Sequence, residues 1–150
     1  MTILERLERD MVDAAKARDS ARLGSIRFAR SEITNRRIEL GRDMRDDDVI
    51  EVLARIAKRH RESIEQFQGA GRDDLVSRES AQLKVIEEYL PERLGDDELA
   101  AIVEDAIAEV SASSMKDLGA VMKTVMPKVK GRAEGSAVKE AVQFRLGAKD

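Results

Sequence analysis

Lys123, Lys128, Lys130 and Arg132 place four cations close together within VMKTVMPKVKGRAEG, Val121 to Gly135. Gly131 lies among them, and a residue without a Cβ lets the backbone turn tightly. Cationic side chains and backbone amides could therefore converge there on a phosphate. Composition alone favours a plainer reading, in which Pro127 stops a helix, Gly131 supplies a turn and the lysines complement the helix dipole in solvent. The segment contains no aromatic residue. Any nucleic-acid contact would then go to phosphates and shape rather than to stacked bases.

Residues suited to covalent chemistry are sparse. The chain has no cysteine, which excludes disulfides, zinc-thiolate sites, iron-sulfur clusters and thiol nucleophiles. His60 is the single histidine and falls in an apolar stripe, so a half-buried packing role is favoured over acid-base work, which needs a partner within hydrogen-bond reach. The arrangement to look for is His60 beside a buried carboxylate from a neighbouring helix. The acidic clusters Asp46–Asp48 and Asp96–Glu98 lie at helix starts, where they offset the dipole. Gly69, Gly71 and Arg72 look like a phosphate loop only superficially, lacking a P-loop lysine and a preceding strand. No catalytic residue, cofactor or metal is expected on these grounds.

The elements that must position the basic segment follow from composition and periodicity. Of 150 residues, 38% are charged and 3% aromatic, a helical profile poor in strand formers. The net charge of −3 conceals an asymmetry: Arg93 to Ser114 holds one base against six acids, and Met115 to Asp150 eight bases against four acids. The charged N-terminus lacks the apolar core of a signal peptide, and no apolar run is long enough to span a bilayer. A cytoplasmic chain with no membrane contact is expected.

Thr2 and Glu5 have capping-box spacing, and Leu7, Met11 and Ala14 continue a first helix to about Arg18. Asp19 or Ser20 caps a second, carrying Leu23, Ile26, Ile33 and Ile38 to Gly41. In the third, Val49, Leu53, Ile56, His60, Ile64 and Phe67 form a stripe expected to face a core along its whole length. GAGRDD supplies a loop and a capping aspartate for a fourth helix that ends by Pro91. A second texture follows: Leu99 to Val110 is broadly apolar, SASS (Ser111–Ser114) interrupts, and helices with Leu118, Val121, Met122, Val125 and Met126, then Val138, Val142 and Leu146, flank the basic turn. Met115, Met122 and Met126 are expected to fill core. The expected fold is all-α: a bundle of about four helices over 1–91, then a small bundle of about three over 92–150.

DMVDAAKARDSARLGSIR, RHRESIEQFQGAGRDDLVSRESAQL, EEYLP and KDLGAVMKTVMPKVKGRAEGSAV occur in the order and spacing of the YqeY-like proteins of the GatB/YqeY family, which the whole chain resembles. Gly119–Lys123 followed by Lys130–Ala133 also resembles the tail domain of GatB, the tRNA-holding subunit of a tRNA-dependent amidotransferase. Glu134 departs from the aspartate frequent there. The resemblance implies a two-part helical fold in which the basic turn engages tRNA. Lys123, Lys128, Lys130 and Arg132 would contact phosphate, Gly131 would shape the turn, and Gly119 and Pro127 would be structural, Gly119 permitting close helix packing. It further implies association with amidotransferase subunits. A carbon-nitrogen ligase label with glutamine as amido donor would be inherited, since nothing here corresponds to an ATP site, a glutaminase or a transamidation centre. The alternative is a protein-interaction adaptor with no RNA contact, favoured by an exposed apolar patch near SASS or Pro91.

Overall fold

The computed structural model describes residues 1–148. Lys149 and Asp150, both included in the charge tally of the C-terminal stretch, lie outside the described residues. Seven α-helices and one short 3₁₀ turn make up the regular structure of the described residues, with no strand. They divide into two units, Met1–Leu90 and Pro91 onward, so Pro91 opens the second unit.

The first unit contains α1 (Ile3–Lys16), α2 (Ser20–Leu40), α3 (Asp46–Gly69) and α4 (Asp73–Glu87). Local chemistry sets the boundaries. The Thr2 hydroxyl accepts from the Glu5 amide at 3.1 Å and the Glu5 carboxylate from the Thr2 amide at 2.9 Å, the reciprocal capping box. Asp19 caps α2 by accepting from the Arg22 amide, and Gly41 ends it at φ 66°, a left-handed conformation that L side chains rarely adopt. No side chain caps α4: Arg72 holds the cap position, and Asp73 and Asp74 lie in the first turn, so the expected aspartate cap is absent.

Leu7, Ile26, Leu53, Ile56 and Ile86 are the large, fully buried side chains of this unit. The α3 stripe is fully buried only from Val49 to Ala57, and His60, Ile64 and Phe67 are partly buried. Twenty-four residues make a rod of about 36 Å, and its C-terminal half packs mainly on α4, the other arm of a hairpin. Ile38 is 70% exposed and leaves the core altogether. Tyr89 is buried instead, donating to Asp10 Oδ2 at 2.5 Å, with the Arg6 guanidinium 5.1 Å from its ring centroid. Burial first, then the neighbouring carboxylate, holds the Tyr89 phenol above its ordinary pKa. Partial burial works against ionisation of Asp10, but the Tyr89 hydroxyl and the Arg9 and Arg22 guanidiniums outweigh it and lower that carboxyl.

At the start of α3, Arg42 donates twice to Asp48, at 2.7 and 3.0 Å, and the Arg45 amide donates at 2.9 Å. The Arg42 fork first and the Arg45 amide second hold the Asp48 carboxyl well below the usual carboxylate range. The resulting stabilisation is present above the ordinary aspartate pKa of about 3.9 and is lost as pH falls from there through the lower folded value. Asp48→Asn should therefore flatten the decline in urea midpoint between about pH 5 and pH 2. Parallel profiles for variant and parent would contradict this.

The second unit contains α5 (Asp96–Glu109), the 3₁₀ turn (Met115–Asp117), α6 (Leu118–Val129) and α7 (Gly135–Gly147). All three helices pack on one another around Val103, Val121, Val125, Val129, Val138, Val142 and Leu146, each fully buried. Beyond α5, Ser111 adopts φ 54° and Ala112 turns into the core. The left-handed conformation costs an L residue about 1–2 kcal/mol. Ser111→Gly should recover on the order of 1 kcal/mol and raise the thermal midpoint; an unchanged or lower midpoint would refute the strain.

Candidate nucleic-acid interface on the second unit

Pro127 does not stop α6. The helix continues through it to Val129, with Pro127 in the last turn. A proline lacks the N–H that would bond the carbonyl four residues back; here that carbonyl belongs to Lys123, an exposed residue open to water. Lys130 then occupies the C-cap position, and the turn expected at Gly131 is present, with this glycine in the left-handed region at φ 74°. Gly119 is exposed, and a Cβ there would meet nothing within 4 Å. Close helix packing is thus not what Gly119 provides.

The four cations do not form one cluster. Val121, Val125 and Val129 set the buried side of α6. At 100° per residue Lys123 and Lys130, seven positions apart, point within about 20° of each other on the outward side, about 10 Å apart along the axis. Lys128 is rotated about 140° from Lys123, and its Nζ lies 3.2 Å from Glu109 at the end of α5. Both partners are largely exposed, so this pair is weak and exchangeable.

Arg132 has a different role. Its Nε donates to the Glu92 carbonyl at 2.8 Å, and its guanidinium lies 3.6 Å from Glu98. The Leu94 amide donates to the Arg132 carbonyl at 2.9 Å, and the Arg132 amide to the Val129 carbonyl at 2.8 Å. Arg132 therefore fastens the segment before α5 onto the α6–α7 turn, with its fork directed at protein acceptors. Glu134 occupies the N-cap position of α7, and its side chain makes no cap hydrogen bond.

The charge asymmetry along the chain is largely cancelled in space. Acidic α5 lies beside α6 and α7, so that Glu98, Glu104 and Glu109 pair with Arg132, Arg145 and Lys128. Residue order shows the two charge blocks but not that folding brings them together. The methionines also depart from expectation. Met122 packs on the core, whereas Met115 is 38% and Met126 37% exposed. Phe144, absent from the apolar stripe of α7, is 76% exposed.

In the first unit, His60 Nδ1 lies 2.6 Å from Glu79 Oε2 on α4, both side chains mostly buried. This is the histidine-carboxylate pair sought from the sequence, and it satisfies the polar edge of a packing histidine. Among the described residues, no three His, Cys, Asp or Glu side chains group as metal ligands, and no helix is long and apolar enough to cross a membrane.

The family model described as Yqey-like protein matches residues 4–146. A protein of Pyrenophora tritici-repentis named altered inheritance of mitochondria protein 41, mitochondrial, is 33% identical over 150 residues, covering 98% of this chain and 82% of its own length. Proteins of the same name from Lachancea thermotolerans and Kluyveromyces lactis are 29% and 31% identical, over 72% and 55% of this chain. Those alignments cover 59% and 45% of the relatives' lengths, so over these two the match is partial. The family match over residues 4–146 and the relative aligned over 98% of this chain establish that the chain belongs to the Yqey-like protein family.

Proposed function

We propose that the chain is a binding module with no covalent step of its own, whose second unit contacts tRNA or a tRNA-bearing complex through the α6–α7 turn. The observation that carries this reading is the shared outward face of Lys123 and Lys130, beside a left-handed Gly131. Lys128 joins them by exchanging its exposed carboxylate partner for a phosphate. Arg132 and Pro127 hold the turn in shape. The resemblance of Gly119–Lys123 and Lys130–Ala133 to the GatB tail supplies the class of polyanion. Association with a tRNA-dependent amidotransferase belongs to the same proposal, as does a cytoplasmic location. The mitochondrial names of the relatives concern those proteins. With three phosphate contacts, log affinity for tRNA should fall against log salt with a slope of about −2 to −3; a salt-independent affinity would refute phosphate recognition.

A second reading, a protein-interaction adaptor without RNA contact, has its own support. Met115, immediately after SASS, and Met126 and Phe144 are exposed apolar side chains in the second unit. Proteins captured by the tagged chain and retained after nuclease treatment would favour it.

A further inference from the structure

Between α2 and α3 lies an open cleft of about 410 Å³ in the first unit, outside everything assigned above. The two helices run antiparallel here, with Arg59 of α3 paired to Glu32 of α2 at 3.5 Å. Val52 forms an apolar floor, and Arg36, Arg55, Lys58 and Arg59 stand on the walls. In the sequence these cations are interspersed with acids and read as solvated faces. The fold sorts them differently.

Arg36 is paired with Glu39 at 3.0 Å and Arg59 with Glu32. Arg55 and Lys58, one turn apart on α3, have no carboxylate partner among the described residues, although the cleft also holds Glu62. Asn35 adds an amide donor on the facing wall. Next to the Arg59 end, the guanidinium lies 5.7 Å from the ring centroid of Phe28, which is 47% exposed. Four cations against three carboxylates leave the cleft lining positive by one charge, a concave positive surface raises the local concentration of anions, and guanidinium and ammonium groups suit phosphate oxygens. The volume falls within the range of small-ligand sites, about 300–1,000 Å³.

We infer that the α2–α3 cleft binds a phosphate-bearing ligand of nucleotide size, with Arg55 and Lys58 as the phosphate contacts. The same chemistry is offered by a free nucleotide or by the end of an RNA strand, and the test separates them. The protein carries Lys123→Ala, Lys128→Ala and Lys130→Ala, so that the second unit does not mask the cleft. ATP and a short single-stranded RNA are titrated in turn, with backbone amide and Asn35 side-chain shifts followed by NMR.

Saturable shifts lining α2 and α3 with ATP assign the source as free nucleotide; the same shifts with RNA only assign it as a strand end. Adding Arg55→Ala and Lys58→Ala should weaken binding at least about ten-fold. Glu62→Gln, which removes an opposing carboxylate, should strengthen it about two- to five-fold. All three side chains are exposed, and unchanged amide spectra away from the cleft check that the fold is kept. Absence of cleft shifts with both probes would overturn the inference, as would affinity indifferent to Arg55 and Lys58, or binding of an acidic peptide as tight as that of ATP.

Discussion

Leu53→Ala is expected to cost the first unit about 2–5 kcal/mol, read as a drop in the urea midpoint followed by helical circular dichroism. Leu53 is fully buried in the N-terminal half of α3, within the cluster that joins Leu7, Ile26, Ile56 and Ile86. Truncation removes the burial of its side chain and leaves a cavity that neighbours on separate helices can close only partly. Native stabilities of about 5–15 kcal/mol make such a loss a large fraction of the total. Ile38→Ala is the matched control: similar atoms are removed from a residue that is 70% exposed. Its effect should stay within about 0.5 kcal/mol. Comparable losses at the two positions would contradict the described core.

Replacing Lys123, Lys128 and Lys130 together by alanine should weaken tRNA binding by on the order of 10²- to 10³-fold, at roughly 1–1.5 kcal/mol per charge-assisted contact. The thermal midpoint should scarcely move, because all three side chains are exposed and ion pairs at the surface, such as Lys128 with Glu109, contribute little. Arg132 is left intact in this variant by design. Its removal would release the Glu92 carbonyl and Glu98 and disturb the turn, confusing lost contacts with lost shape. Lys123→Ala with Lys130→Ala should account for most of the effect, since these two share the outward face. Equal losses from Lys128→Ala alone would mean that the helix presents a different side to the ligand.

Much of this fold was legible because helical period and capping are local. Thr2 with Glu5, Asp19 and Gly41 act where residue type places them, and Val138, Val142 and Leu146 are all fully buried. The failures share one cause: they depend on what stands opposite. Period alone puts Ile38 and Phe67 in line with core residues, but no helix covers them fully. Tyr89 follows the end of α4 in a segment marked by Pro91, and only the approach of α1 gives it Asp10 and Arg6 as partners. In the candidate interface, Gly131 and the outward lysines follow from the residues themselves. The diversion of Arg132 to Glu92 and of Lys128 to Glu109 does not, because those partners belong to segments distant along the chain.

The most direct test is ultraviolet crosslinking of the tagged chain in cells, with sequencing of the RNA and mapping of the crosslinked peptides by mass spectrometry. Enrichment of tRNA is expected, with crosslinks concentrated in the peptides that carry Lys123, Lys128 and Lys130 and lost in the triple alanine variant. Recovery of no RNA above background, or of tRNA crosslinked only to other segments and unchanged in that variant, would contradict tRNA binding through the α6–α7 turn.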